Sequence, residues 1–147
     1  MAFIRVIQFM GSAPKPVLQH AELTEKIIGA FYCVYNDLGP GFLESVYKRS
    51  MAIALADLGL KIEVEHPVPV SFRGQIVGDF RTDIPVEDRV LLELKALRHM
   101  DNSTEGQILH YLRATRFEVG LLMNFGPKAE FRRFILENTN KKNPRNP

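Results

Sequence analysis

The 147 residues are about the size of one domain, and 46% hydrophobic with 24% charged residues is an ordinary globular balance. No apolar run reaches the roughly 20 residues that cross a bilayer, and a net charge of +2 says little about partners. The single cysteine, Cys33, excludes an intramolecular disulfide and a zinc site of several thiolates. It suits a reducing, cytoplasmic location, and we expect this thiol to be buried in its apolar helical stretch.

The two ends of the chain differ in composition from the middle. Residues 1–20 are mildly apolar, contain a Gly/Pro segment and lack the ordered regions of a signal peptide, so we expect an N-terminal arm. Residues 21–137 form the predicted domain. Residues 138–147, including Lys141, are predicted to be a basic, disordered tail. Such a tail could hold nucleic acid, but a frayed, solvated terminus is the favoured interpretation.

Apolar residues recur at intervals of three and four in the first part of the domain, which predicts helices at 21–38 and about 42–58. The sequence Gly39-Pro40-Gly41 separates them.

The pattern then changes to the alternation of strands, followed by one more helix and two more strands. The predicted strands are 62–66, 68–72, 76–86, 90–97, 118–124 and 131–136, with tight turns at 73–74 and 87–89 and a helix at about 103–114. This mixed order favours an α/β (α+β) fold, a mixed central sheet flanked by helices.

The most specific inference concerns the hairpin of the strands at 76–86 and 90–97. With Asp88 at the centre of the turn, Ile84 faces Leu92, Thr82 faces Leu94 and Phe80 faces Ala96, which gives one nearly apolar face. The opposite face then pairs Asp83 with Glu93 and Arg81 with Lys95.

Opposed carboxylates with Cβ atoms about 5 Å apart repel each other, and a divalent cation removes that repulsion. Lys95 lies on the same side as Glu93, where an ammonium could orient or deprotonate an attacking water and stabilise charge on a phosphate. The simpler alternative is a solvated face on which Lys95 only neutralises the acids.

Two helices offer further candidates for the same site. Glu44 is a possible third acid, although an acid in the first helical turn is also favourable with the helix dipole. Tyr47, one turn later, is either an accessory residue or core. Gln107 and Tyr111 share a helical face, so Gln107 could bind Lys95, a metal-bound water or a phosphate and Tyr111 could lie at the site edge. An ordinary amphipathic helix explains both equally simply.

Other reaction classes lack their signatures. There is no Gly-rich phosphate loop and no GxSxG elbow, and the four histidines have no metal-ligand spacing. The sequence therefore gives no support to a kinase, a serine hydrolase or a zinc enzyme.

Three motifs in order resemble a known family. The segment GFLESVY at 41–47 matches the signature of the GxxExxY protein family, and Asp83 followed by Glu-Leu-Lys at 93–95 is similar to the acidic motif of the PD-(D/E)XK nuclease superfamily. The superfamily's usual proline before the aspartate is Thr82 here. The segment QILHY at 107–111 resembles the QxxxY motif of RecB-like members, and 119–126 is similar to the family's late strand. The resemblance runs from about Leu23 to Leu136.

The resemblance implies a restriction-endonuclease-like core with an αβββαβ arrangement. It implies phosphodiester hydrolysis with Mg²⁺ or Mn²⁺, a metal set of Asp83, Glu93 and Leu94, and Lys95 as base or charge stabiliser. Glu44 would be an accessory acid.

Three functional hypotheses follow. The first is a metal-dependent nuclease that acts on DNA in preference to RNA, alone or as a homodimer. The second is a non-catalytic module that binds nucleic acid or protein. The third is a subunit that is active only with partner proteins.

Overall fold

A computed structural model describes residues 5–7 and 20–141 of the chain, apart from the side chains of residues 5–7 and a few side chains in one hairpin. The elements are β1 (Arg5–Ile7), α1 (Ala21–Leu38), α2 (Glu44–Asp57), β2 (His66–Phe72), β3 (Gln75–Thr82), β4 (Ile84–Val86), β5 (Val90–Lys95), α3 (Asn102–Ala114), β6 (Val119–Phe125), β7 (Ala129–Ile135) and a 3₁₀ turn at Asn138–Asn140.

Five strands form the central sheet, in the order β1-β7-β6-β5-β4. The neighbours β5 and β6 run parallel and are connected through α3, whereas the other neighbouring pairs are antiparallel. The expected mixed sheet flanked by helices is therefore confirmed. A parallel pair needs a crossover connection of this kind, because a tight turn can join only antiparallel strands.

The sheet separates two hydrophobic clusters. Leu92 and Leu94 of β5 belong to the cluster that includes α1 and α2, whereas Leu91 belongs to the cluster that includes α3. All seven residues of β6 are buried, which explains why its sequence is apolar at every position except Gly120 and Asn124. Each large apolar side chain removed from water in these clusters contributes about 1.5–3 kcal/mol to folding.

The first helix has the predicted bounds, and the second is shorter than predicted. Gly39 ends α1 with φ 71°, a conformation that glycine adopts readily, and its N–H donates to the carbonyl of Tyr35 at 2.8 Å. In α2 the buried residues are Tyr47, Met51 and Leu55. Leu43 and Leu58, within the predicted helix at about 42–58, are the N-cap and C-cap residues of α2 and are exposed.

The hairpin register predicted from the sequence is confirmed where the two strands pair. Ile84 pairs with Leu92 and Val86 with Val90, around a turn in which Glu87 and Asp88 both have positive φ.

The prediction of one long strand over 76–86 is wrong, because this segment forms two strands, β3 and β4, that belong to different sheets and are separated at Asp83. Before that point β3 pairs with β2 in a separate two-stranded sheet, so Thr82 pairs with His66 and Arg81 with Pro67. The expected pairs of Thr82 with Leu94, Phe80 with Ala96 and Arg81 with Lys95 are therefore not formed.

The strands predicted at 62–66 and 68–72 also differ from the structure, which has a single strand, β2. The preceding residues run along the edge of β4 without forming a regular strand: Glu63 N–H donates to Pro85 O at 3.3 Å and Glu65 N–H to Asp83 O at 2.7 Å. The predicted tight turn at Arg73-Gly74 is confirmed, with φ 51° and 77°.

Both predicted ends contribute to the folded unit. Arg5–Ile7, within the predicted arm, pair with β7 and extend the sheet by one strand. In the predicted tail, Lys141 is buried and its ammonium donates to the carbonyls of Thr115 and Phe117 at 2.8 and 2.7 Å. The described start of the predicted tail is thus in contact with the domain; residues 142–147 lie outside the described part.

Cys33 is exposed, so the expectation that it is buried is wrong. Cys33 is not one of the buried positions of α1, which include its neighbours Phe31 and Val34. No helix among residues 20–141 is long and apolar enough to cross a membrane.

Candidate active site

Two carboxylates meet where the chain passes from the small sheet to the central one. Asp83 lies between β3 and β4, and its N–H donates to Glu93 Oε1 at 3.1 Å. In return, Leu94 N–H donates to Asp83 Oδ2 at 2.8 Å. Each side chain thus binds the backbone of the other segment, and this reciprocal pairing keeps two acidic groups in contact despite their charges.

Burial of Glu93 has an electrostatic consequence. The residue is 2% exposed. Loss of solvation and the nearby charge of Asp83 raise the pKa of Glu93 to about 9, against smaller opposing effects of the hydrogen bond from Asp83 N–H and of the charge of Lys95. The raised pKa favours the protonated form of Glu93 at neutral pH when no further cation is present. A cation at this position would favour the ionised form.

Lys48, which the sequence did not indicate, is in direct contact with the pair. Its Nζ lies 2.9 Å from Asp83 Oδ1 and 3.7 Å from Glu65 Oε1. Burial lowers the pKa of Lys48, but the hydrogen bond and charge of Asp83 outweigh it and the pKa is raised overall. Lys48 lies one helical turn after Glu44, and this spacing was the available sequence signal.

Lys95, Glu44 and Gln107 line one cavity of about 380 Å³, and Lys95 lies two residues after Glu93 on β5. The structure thus brings together three predicted site residues that are up to 63 positions apart in the chain. The remaining lining residues are Phe42, Leu43, Ala96, Leu97, Ser103 and Thr104.

Gln107 and Tyr111 form a hydrogen-bonded chain that supports β3. Gln107 Nε2 donates to the hydroxyl of Tyr111 at 2.9 Å, and that hydroxyl donates to the carbonyl of Arg81 at 3.0 Å. Tyr111 therefore holds the backbone two residues before Asp83. Burial raises the pKa of the Tyr111 hydroxyl, which keeps it a donor at neutral pH.

Tyr47 is a core residue, as one of the two sequence interpretations had it. It is fully buried and its ring stacks on Phe125 with centroids 4.3 Å apart. Its hydroxyl donates to Gly39 O at 2.6 Å and accepts from Phe42 N–H at 3.2 Å. Tyr47 thereby fixes the loop that leads to Glu44.

The chemistry of these groups fits a small divalent cation. Two carboxylates in contact supply the oxygen ligands that Mg²⁺ and Mn²⁺ prefer, and the usual remaining ligands are waters and substrate oxygens. Leu94 could add only its carbonyl, since its side chain has no ligand atom. Among residues 20–141 no group of three His, Cys, Asp or Glu residues is arranged to hold a metal ion.

The family model of the PD-(D/E)XK nuclease superfamily matches residues 21–134, which is more than three quarters of the chain. The chain belongs to the PD-(D/E)XK nuclease superfamily. The three helices and the mixed sheet are consistent with its restriction-endonuclease-like fold, as expected. Nucleases of this superfamily bind nucleic acid and usually use divalent metals.

Among solved structures, the crystal structure of SSO0001 is similar to this chain. The two are 19% identical, with a TM-score of 0.43, and the match covers 80% of this chain and 59% of SSO0001. The chain thus spans less than two thirds of SSO0001. No protein with a curated description matches the chain.

Proposed function

We propose that this PD-(D/E)XK protein hydrolyses phosphodiester bonds of DNA with Mg²⁺ or Mn²⁺. The observation that supports this most is the reciprocal contact between Asp83 and Glu93, with Lys95 two residues beyond Glu93 on β5. Burial of Glu93 and the charge of Asp83 raise the pKa of Glu93, and a bound cation would favour its ionised form.

Each residue of the site has a proposed role. Asp83 and Glu93, with the carbonyl of Leu94, hold the ion, which when bound polarises the phosphodiester and lowers the pKa of its water. Lys95 lies on the same side of β5 as Glu93 and lines the adjacent cavity, so its ammonium stabilises negative charge on the phosphate and orients the attacking water. Glu44 and Gln107 line the same cavity. Glu44 is the accessory acid and positions water there, whereas Gln107 positions a metal-bound water or the phosphate next to Lys95.

The test compares two isosteric acid-to-amide variants. With added Mg²⁺ or Mn²⁺, the wild type should cleave DNA and Asp83→Asn should lose at least about 100-fold in rate. Asp88→Asn is the matched control, because Asp88 is exposed in the β4–β5 turn and pairs only with exposed Lys61 among the salt bridges of the described residues. Equal cleavage by wild type and Asp83→Asn would show that the activity comes from elsewhere.

A non-catalytic module on the same fold is the second candidate, and one observation favours it. The ammonium of Lys48 already neutralises Asp83. Calorimetry distinguishes the two functions: a module would take up neither Mg²⁺ nor Mn²⁺ at millimolar concentration and would still bind DNA.

We further propose membership of the GxxExxY group, on the motif at 41–47, and a cytoplasmic location, where the single cysteine stays reduced. A homodimer or a complex with partner proteins would extend the small surface of the chain. Light scattering of the purified protein and cell fractionation test these proposals.

A further inference from the structure

Part of the lining of the cavity next to Lys95 is apolar. Phe42 is 48% exposed and Leu43 is 76% exposed, and Ala96 and Leu97 line the cavity with them. Its volume of about 380 Å³ lies within the range of small-ligand sites. Exposed apolar side chains in the lining of a cavity favour a ligand that has a flat, apolar surface.

Two hydrogen-bonded clamps fix these walls. The side-chain amide of Asn124 accepts from Leu97 N–H at 2.8 Å and donates to Leu97 O at 2.9 Å. The hydroxyl of Tyr47 accepts from Phe42 N–H, and the two rings pack edge to face with centroids 6.1 Å apart. Asn124 and Tyr47 are both fully buried, so the walls of the cavity are held by the core.

Leu43, which lines the cavity, is an unusual residue for its position at the start of α2. It occupies the N-cap of α2 with an extended backbone and no side-chain cap. Leucine is among the poor residues for this position, where serine, threonine, aspartate or asparagine would accept an N–H of the first turn. A departure from local preference without a structural gain is typical of a functional position.

Away from Lys95, the cavity is poorly suited to a phosphate. The N–H groups of Ser103 and Thr104, at the start of α3, already donate to the carboxylate of Asp101 at 3.0 and 3.2 Å. The acid Glu44 also lines the cavity. Lys95, two residues from Glu93, is the positively charged residue of the lining, so an anionic group fits next to it. An uncharged group fits against the apolar side chains of Phe42 and Leu97.

We propose that this cavity binds one unpaired nucleobase next to the phosphate that is cleaved, so that the substrate is single-stranded or locally unpaired DNA. The inference rests on the proposed function, because Lys95 belongs to both the catalytic site and the cavity. An aromatic side chain stacks on any base, and an intact duplex must first lose a base pair to supply one.

The main experiment measures binding in EDTA, so that no cleavage interferes. A short fluorescein-labelled DNA strand, alone or annealed to its complement, is titrated with wild type, Phe42→Ala and Leu43→Ser. We expect the wild type to bind the single strand at least about tenfold more tightly than the duplex. Each variant should lose about tenfold in affinity for the single strand and little for the duplex.

Leu43→Ser separates binding from folding. A serine caps α2, so thermal unfolding should occur at a higher temperature while affinity for the single strand falls. Ile53→Ala is the control, because Ile53 is 63% exposed on α2 and lies outside the cavity lining. The chain has no tryptophan, so Phe42→Trp gives a single reporter whose fluorescence the stacked base should quench.

Equal affinity of the wild type for single strand and duplex would overturn the proposal that the cavity binds a base. Variants that bind the single strand as tightly as the wild type would overturn it as well. Cleavage of intact duplex as fast as of single strand would also overturn it while the proposed hydrolysis stands. Conversely, selective binding of the single strand through Phe42 without cleavage in either metal would retain the cavity and reject the hydrolysis.

Discussion

At the scale of single residues, Lys48 determines how much negative charge the carboxylate pair presents. Its ammonium, 2.9 Å from Asp83 Oδ1, is mostly shielded from solvent, with a side chain 18% exposed. Such a contact is screened less than a surface ion pair. A metal ion bound by Asp83 must compete with this ammonium for the same carboxylate.

Replacing Lys48 should therefore strengthen metal binding. We expect Lys48→Met to bind Mn²⁺ about tenfold more tightly than the wild type, because removal of a unit charge at contact distance changes the free energy of binding by about 1.4 kcal/mol or more. Isothermal titration calorimetry of the metal-free protein measures this. Lys61→Met is the control, since Lys61 pairs with exposed Asp88. Unchanged or weaker Mn²⁺ binding in Lys48→Met would show that the two cations do not compete.

Glu93 should make the metal-free protein less stable as the pH rises. Its pKa is about 9 in the folded state and about 4.5 in the unfolded chain, so over this range the unfolded chain releases the proton more readily. The contribution of Glu93 to stability is full below about pH 4.5 and is lost progressively toward about pH 9.

The comparison of wild type with Glu93→Gln isolates this effect. In urea unfolding in EDTA between about pH 5 and pH 8, the wild type should lose stability relative to Glu93→Gln, because glutamine does not titrate. Added Mn²⁺ should reduce the loss in the wild type only. Parallel pH profiles of the two proteins would mean that Glu93 titrates normally.

At the scale of elements, the end of β5 is held to the end of β6 by a close backbone approach. A Cβ atom at Gly126 would lie 2.4 Å from the carbonyl oxygen of Leu97 and 2.9 Å from the Asn124 amide nitrogen. Only glycine leaves room there for the clamp by which Asn124 holds Leu97. The adjoining turn of the sheet thus supports one wall of the cavity.

Gly126→Ala and Gly29→Ala should have opposite effects. The first forces the backbone around Leu97 apart and should lower the free energy of unfolding by about 1–3 kcal/mol. The second adds a methyl group in open space within α1 and should raise it by about 0.5–1 kcal/mol. Chemical denaturation measures both, and a neutral Gly126→Ala would indicate that the two strand ends can separate without cost.

At the scale of the whole molecule, the segment after β7 folds back onto the end of α3. The ammonium of Lys141 donates to the carbonyls of Thr115 and Phe117, beyond the last turn of α3, where a positive charge is also favourable with the helix dipole. Burial lowers the pKa of Lys141 to about 8, so it remains mostly charged at neutral pH.

Removing this ammonium should destabilise the whole domain. We expect Lys141→Ala to lower the free energy of unfolding by about 1–3 kcal/mol, because two buried carbonyls lose their donor. Lys128→Ala, at an exposed lysine, should have little effect. Equal stability of the two variants in urea would place Lys141 outside the cooperative unit.

The sequence by itself determined the approximate extent of the three helices and the register of β4 with β5, because both follow from local periodicity: apolar residues every three to four positions in helices and alternation in strands. The same register predicted that Asp83 lies opposite Glu93, and the two residues are in contact in the structure. The register does not predict where the strand ends. Ile84 pairs with Leu92 as expected, but Thr82 pairs with His66 of the other sheet instead of Leu94.

Only the tertiary structure decided that β3 belongs to another sheet, that Lys48 contacts Asp83, and that Lys141 is buried. These features depend on contacts between residues that are distant in the chain. The sequence around a charged residue has the same pattern whether its side chain contacts solvent or a carboxylate. The cavity is the clearest case. Phe42 and Leu97 are 55 positions apart, and no periodicity relates them until the core has placed both at the same edge of the sheet.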